Sequence, residues 1–307
     1  MSPEVSIICP MYNEQENVAI FLSSVSAVLE SVGCTYEIIC VNDGSRDDTL
    51  DLLLKAKDDY PTLRVLNLSR NFGKESALSA GLSIADGDAV IPIDADLQDP
   101  PEVIAELITE WRKGYDVVLA KRSDRRSDSV AKRVSASLFY RFHNAISNQN
   151  IPENVGDFRL MSRRVAAEII NLPENQRFMK GLFSWVGFKT TTIEYTRASR
   201  HAGSSGFNAW ALWNFALDGV TGFSTAPLRL WLYLGVLLST IAFFIGAYIV
   251  IEALVYGIAV PGYASLIVVV LFFGGIQLTS IGVLGEYIGR IYLETKRRPS
   301  YIIEGEY

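Results

Sequence analysis

Asp94, Asp96 and Gln98 stand two apart in "IDADLQDPP" (residues 93–101), directly after an apolar run that ends at Ile93. On an extended segment such spacing turns all three side chains the same way. Two carboxylates and an amide oxygen form a hard-oxygen set suited to Mg²⁺ or Mn²⁺, with water and a diphosphate completing the shell. Without a cation the carboxylates repel one another and raise a pKa. A plain solvated turn is the alternative for a motif this short. Asp99, followed by Pro100, Pro101 and Glu102, has the form of a helix N-cap with proline in the first turn, so it is expected to serve structure.

The elements that must present these groups are legible in the first 120 residues. Short apolar runs at Val5 to Cys9, Glu37 to Val41, Val65 to Leu68, Ala89 to Ile93 and Val117 to Ala120 alternate with helical patterns. Such alternation predicts an α/β domain, a mostly parallel sheet flanked by helices. Asn13 with Glu16, and Ser45 with Asp48, read as capping boxes opening the first two helices. Helical patterns near 130–148 and 163–171 and a strand-like run at Thr190 to Tyr195 follow. In an open parallel sheet ligands bind beyond the carboxyl ends of the strands. There the sequence places Pro10, Tyr12, Asn13 and Glu14, then "NDGS" (42–45), Arg70 and Asn71, and Asp94, Asp96 and Gln98. These turns contain no GxGxxG and no GxxxxGK[ST], which argues against a dinucleotide fold and a P-loop ATPase.

The 307 residues carry a net charge of -6, which speaks against a nucleic-acid partner. Locally the balance reverses: residues 121–133 hold six basic residues against two acidic ones, a solvated loop or a site for an anionic substrate or headgroup. Cys9, Cys34 and Cys40 show no metal spacing and read as reduced thiols. From Leu230 to Gly285 the only charged residue is Glu252. Two apolar stretches, about 230–252 and 264–286, each make a helix of roughly 33 Å, enough to cross a hydrocarbon core. A buried helical hairpin is the competing reading. Arg229 precedes the pair and Lys296, Arg297 and Arg298 follow it, so the positive-inside rule puts both ends and the N-terminal domain in the cytoplasm. The expected division is therefore a catalytic domain at 1–205, an interfacial amphipathic segment at 206–228, two transmembrane helices within 229–290, and a cytoplasmic tail at 291–307. Gly274, Gly275, Gly282, Gly285 and Gly289 supply close-approach positions and point to a homo-oligomer.

"SIICPMYNE", "VNDGSRDDT", "NFGKESALSAGL", "IDADLQDPP" and "VGDFRLMSRR" occur in this order. Together they closely resemble family 2 glycosyltransferases of the GT-A nucleotide-diphospho-sugar transferase fold. With the two C-terminal spans, the chain is similar to polyisoprenyl-phosphate glycosyltransferases, a group that includes dolichyl-phosphate mannose synthases and bactoprenol glucosyltransferases. The resemblance implies inverting transfer of a hexose, best glucose from UDP-glucose, to undecaprenyl phosphate by a multi-pass protein of the bacterial inner membrane. It implies that Pro10, Tyr12, Glu14 and Asp43 hold the base and ribose with Lys74 nearby, and that Asp94 and Ala95 line the nucleotide sugar. Asp96 and Gln98 would carry the metal at the diphosphate, and Asp157 would be the base or acceptor-positioning acid. Arg122, Arg133 and Arg200 would neutralise phosphates. The related pattern after Arg200 continues to a Ser-Lys pair, whereas Ser205 is followed here by Gly206. A processive polysaccharide synthase shares such a crevice but carries Gln-x-x-Arg-Trp, which "NQRFMKG" (175–181) does not match. A membrane-anchored nucleotide-sugar scaffold would have no use for Asp157 or the basic set.

Overall fold

The computed structural model describes residues 2–123, 155–175, 177, 179–196, 225–256 and 262–307. Each apolar run of the first 120 residues forms a strand: β1 (Val5–Met11), β2 (Tyr36–Asn42), β3 (Leu63–Leu68), β4 (Ala89–Pro92) and β5 (Val117–Arg122). Two further strands, β6 (Val155–Ser162) and β7 (Thr190–Tyr195), precede the C-terminal helices, and β8 (Ile303–Glu306) ends the chain. Their order is β7-β5-β6-β4-β1-β2-β3-β8. The β1, β2, β3 and β4 pairings are parallel, as is β5 with β7, while β6 and β8 run antiparallel to their neighbours. The α/β class with a mostly parallel sheet is thus observed.

Helices cover both faces, because strands buried on both sides must be roofed twice. On one face α1 (Val18–Val32), α2 (Thr49–Ala56) and α4 (Val103–Arg112) enclose a core around Phe21, Leu22, Ile38 and Phe158. On the other, α3 (Lys74–Ile84), α5 (Arg163–Asn171) and α6 (Met179–Trp185) cover Ile8, Ile39, Leu66 and Met161. The expected apolar face of α1 is buried at Val18, Phe21, Leu22, Val25 and Leu29. Cys9 and Cys40 lie opposite one another in β1 and β2, and all three cysteines are buried and free.

The capping expectations are corrected. α1 begins at Val18 after Asn17, α2 at Thr49 after Asp48, and α4 at Val103 after Glu102, each without a side-chain cap bond. Asn13 sits in the left-handed region (φ 55) and ties two loops together: its N–H donates to Ser45 Oγ and its Oδ1 accepts the Arg46 N–H. The two expected cap residues, Asn13 and Ser45, are spent on this loop-to-loop contact, which local spacing could not reveal. Asp99 is buried and accepts the Tyr195 hydroxyl, with the Arg122 guanidinium 3.9 Å away. It joins β7 and β5 to the β4 loop instead of capping α4.

The tail does not trail away from the domain. α8 (Tyr263–Thr295), which follows α7 (Ala226–Tyr256), leads into β8 on the open edge of β3. Asn67 Nδ2 donates to Glu304 at 2.8 Å, Arg64 pairs with Glu306 at 2.7 Å, and Asn175 donates to Glu294 of α8. α7 and α8 have 31 and 33 residues and expose large apolar side chains along their length, among them Leu230, Phe243, Leu254 and Leu278. Counted over the described residues alone, no helix is long and apolar enough to cross a membrane. The segment at 206–224 and the helical pattern near 130–148 lie outside the described residues.

Two outcomes test this packing by thermal unfolding. Gly44 has φ 63, and a Cβ there would stand 2.4 Å from the Arg70 carbonyl carbon, whereas Gly33 (φ 70) has open space. Gly33→Ala is expected to cost only the left-handed strain of about 1–2 kcal/mol, and Gly44→Ala clearly more. Asp99→Ala and Tyr195→Phe should each destabilise by about 1–3 kcal/mol and couple in a double-mutant cycle. Strict additivity would mean that the contact holds nothing.

Candidate active site

The strand directions gather the site. β1, β2 and β4 are parallel, so Pro10, Asp43 and Asp94 lie at or just beyond one edge of the sheet. β6 runs the other way, with Ser162 opposite Ala89 and Val155 opposite Lys121. Its beginning therefore lies beside the carboxyl ends of β4 and β5, which delivers Asp157 to the crevice. Arg122 ends β5 and pairs in register with Tyr195 of β7.

At the centre is Lys74, the first residue of α3. Its Nζ lies 2.7 Å from Asp94 Oδ1 and 2.9 Å from Asp157 Oδ2. Burial by itself would lower the Lys74 ammonium, but Asp157 and then Asp94 outweigh it and hold its pKa well above the usual lysine value. Burial likewise works to raise Asp157, yet the charges of Lys74 and Lys180, with Arg159 behind them, keep that carboxyl well below the usual range. Asp157 is thus a fixed anion and a weak base. Its Oδ1 is buried and has no hydrogen-bond partner among the described residues.

The acidic turn behaves as its spacing implies, by a different geometry. Asp94, Asp96 and Gln98 are partly exposed while Ala95, Leu97 and Asp99 are buried. The segment is a turn, not an extended strand, with Leu97 in the left-handed region (φ 52) and Asp96 Oδ1 accepting the Gln98 N–H at 3.2 Å. Among the described residues no group of three or more His, Cys, Asp or Glu side chains could hold a metal ion. A hard cation here has two carboxylates and an amide oxygen to use, which fits a metal that keeps waters and substrate oxygens in its shell. Asp94 is shared with Lys74, and Asp96 Oδ1 with the Gln98 N–H.

The residues expected to hold the nucleotide line the same edge. Tyr12 is exposed and Pro10 partly so. Glu14 is fixed from both ends, its N–H donating to Thr49 Oγ1 at 2.9 Å and its Oε2 accepting Asn17 Nδ2 at 2.5 Å. Asp43 is buried, and its two oxygens accept the Phe72 and Gly73 N–H groups at 2.7 and 2.9 Å. Burial raises its pKa against those two bonds. The carboxylate shapes the loop that leads into Lys74, and any nucleotide contact comes in addition. Arg122 is brought to the crevice beside Asp99 and Tyr195; Arg133 and Arg200 lie outside the described residues.

Four residues escaped the sequence reading. Glu75 and Lys180 flank Asp157 electrostatically from α3 and α6. Arg159, two residues after Asp157 on the same face of β6, is buried against the Phe183 ring, and burial lowers it to about 10. Tyr195 donates to Asp99, and burial together with that carboxylate pushes its hydroxyl up. For Glu75 the signal was an acid inside the "GKES" motif next to a chosen lysine. Arg159 likewise lies inside the "VGDFRLMSRR" motif, two residues after Asp157, whereas Lys180 and Tyr195 sit in ordinary-looking runs and left none.

Comparison with known proteins agrees with this geometry. The family model "Glycosyl transferase family 2" matches residues 6–170, and "GtrB C-terminal hairpin" matches residues 226–291. The chain is 54% identical to a bactoprenol glucosyl transferase of Shigella phage SfV over 303 residues, 99% of each chain. It is 53% identical to a prophage bactoprenol glucosyl transferase homolog of Escherichia coli (strain K12), covering 98% of both. An uncharacterized glycosyltransferase of Synechocystis sp. is 50% identical over 99% of this chain and 95% of its own. With the acidic turn, the lysine bridge and the antiparallel strand in place, the chain belongs to glycosyl transferase family 2 and is a glycosyltransferase with a GtrB-type C-terminal hairpin.

Proposed function

We propose that this glycosyltransferase moves glucose from UDP-glucose to the phosphate of a polyisoprenol, undecaprenyl phosphate in a bacterial membrane, with inversion at the anomeric carbon. The observation that carries this reading is the Lys74 ammonium held between Asp94 and Asp157 at the mouth of the crevice. The bactoprenol glucosyl transferases that match over nearly the whole chain support the sugar and the lipid.

An acceptor phosphate oxygen bonds to the anomeric carbon as the bond from that carbon to the diphosphate breaks, and the electron pair leaves with the nucleoside diphosphate. A divalent cation at Asp96, Gln98 and Asp94 would offset the charge that develops on the diphosphate. Lys74 supplies fixed positive charge at the same place. A phosphate monoester with a second pKa near 6 is mostly a dianion at neutral pH and needs little deprotonation. Asp157, kept far down the acid scale by Lys74 and Lys180, accordingly orients sugar or acceptor and removes no proton. Arg122 stands at the β5 end to receive the acceptor phosphate, with Arg133 and Arg200 as further phosphate partners.

α7 and α8 serve as two membrane spans in this reading. Taken over their full sequences and not the described side chains alone, helices of 31 and 33 residues at about 1.5 Å per residue exceed a hydrocarbon core of roughly 30 Å, and their exposed apolar side chains need a nonaqueous partner. β8 pairs with β3 immediately after α8, so the far end of the hairpin returns to the catalytic domain, in keeping with both ends on the cytoplasmic side. Among the described residues the glycines of α8 have no neighbour that a Cβ would meet within 4 Å, which leaves that face open to a second copy.

Purified full chain with labelled UDP-glucose, Mg²⁺ and undecaprenyl phosphate is expected to give an organic-extractable product bearing a single sugar. A long water-soluble polymer would assign a processive synthase, and no transfer from any common donor a scaffold. Asp96→Ala should abolish this transfer while leaving the melting temperature nearly unchanged, because Asp96 is a partly exposed turn residue. Asp157→Asn should lower kcat by a similar factor from about pH 6 to pH 8, as fits a positioning group. Full recovery of that variant at the alkaline end would make Asp157 a base.

A further inference from the structure

β6 does not run evenly along β5. Leu119 faces Arg159 and Lys121 faces Val155, so two steps of β5 oppose four of β6, and the extra residues fall within Gly156, Asp157 and Phe158. A bulge of this kind re-aims a side chain. Here the side chain is that of Asp157. Phe158 anchors the bulge on one face of the sheet, in the core with Phe21 and Leu22. On the other face Arg159 closes it. Its Nη2 donates to the Gly156 carbonyl at 2.6 Å, spanning Asp157, and its guanidinium carbon lies 4.2 Å from the centre of the Phe183 ring of α6.

We propose that Arg159 is a positioning residue for the transfer, a buried guanidinium that clamps the β6 bulge and so aims Asp157 at the crevice. The proposal rests on the function given above. Arg159 is 4% exposed, and a cation buried to this degree is a costly way to fix a strand that an apolar side chain could pack as well. Arg159 Nε and Asp157 Oδ1 are both buried without a hydrogen-bond partner among the described residues. The stretch thus gives up bonding that a purely structural turn would satisfy. What the guanidinium does, and an apolar chain cannot, is hold the Gly156 carbonyl and set positive charge behind Asp157. The clamped backbone also borders Arg122, since a Cβ on Gly156 would stand 3.4 Å from Arg122 Nη2.

The test compares wild type, Arg159→Met, Arg159→Lys and Phe183→Leu, each alone and combined with Asp157→Asn, as full-length protein in detergent. kcat and donor KM for transfer from UDP-glucose to undecaprenyl phosphate are read well below each melting temperature. Arg159→Met should lower kcat about tenfold to a hundredfold with donor KM little changed. Arg159→Lys, which can still donate to the Gly156 carbonyl, should lose less. Because Arg159 acts through Asp157, neither substitution should lower the residual rate of Asp157→Asn any further. A merely structural role predicts the reverse, losses that multiply.

Where Arg159→Met does not fold, Phe183→Leu decides, because it removes the ring under the guanidinium: kcat should fall, and again only while Asp157 is present. Wild-type kcat in Arg159→Met, equal losses in Arg159→Met and Arg159→Lys, or losses that multiply with Asp157→Asn overturn the proposal and leave the function standing. Wild-type kcat in Phe183→Leu does the same where that variant decides. Absence of transfer by wild type overturns both.

Discussion

The Lys74 ammonium is the point on which this crevice closes. Asp94 belongs to the loop after β4 and Asp157 to the start of β6, and two carboxylates so placed would repel if nothing positive lay between them. Lys74 supplies that charge from the head of α3, and its approach depends on Asp43, whose oxygens fix the Phe72 and Gly73 amides one step upstream. Remove the cation and the β4 loop, the β6 start and the α3 head lose the contact that gives them a common geometry.

A second constraint is the reversed direction of β6. Were it parallel to β4, Asp157 would sit at the far edge of the sheet among the strand starts. Running antiparallel, it brings its first residues to the carboxyl ends of its neighbours, so one strand supplies an anion to a site otherwise made of loops. The same reversal puts Arg159 and Asp157 on one face, where α6 adds Lys180 and α3 adds Glu75. The charges around Asp157 thus come from three elements far apart in the chain, and none of them is interpretable without the others.

β8 joins the apolar hairpin to this machinery. Edge strands leave unpaired backbone groups, and the tail closes the open side of β3 with ladder bonds, reinforced by the side-chain pairs Asn67–Glu304 and Arg64–Glu306. The end of α8 is thereby tied to the sheet, through β8 on β3 and through Glu294 to Asn175.

By itself the sequence determined the parallel part of the sheet, because strands buried on both faces must be short apolar runs separated by amphipathic helices, a signal strong from Val5 to Ala120. It also determined the outward set Asp94, Asp96 and Gln98, since their spacing survives the change from strand to turn. Only the tertiary structure decided what Asn13, Ser45 and Asp99 do. A side-chain oxygen that is free to cap its own helix is equally free to bond a loop or a tyrosine distant in sequence, and local spacing carries no information about which partner lies nearer. Only the tertiary structure, likewise, could show the antiparallel β6, the returning β8 and the residues that set the charge of Asp157. Strand direction and the neighbours of a buried acid are long-range properties, fixed when the whole sheet assembles and absent from any short window of the chain.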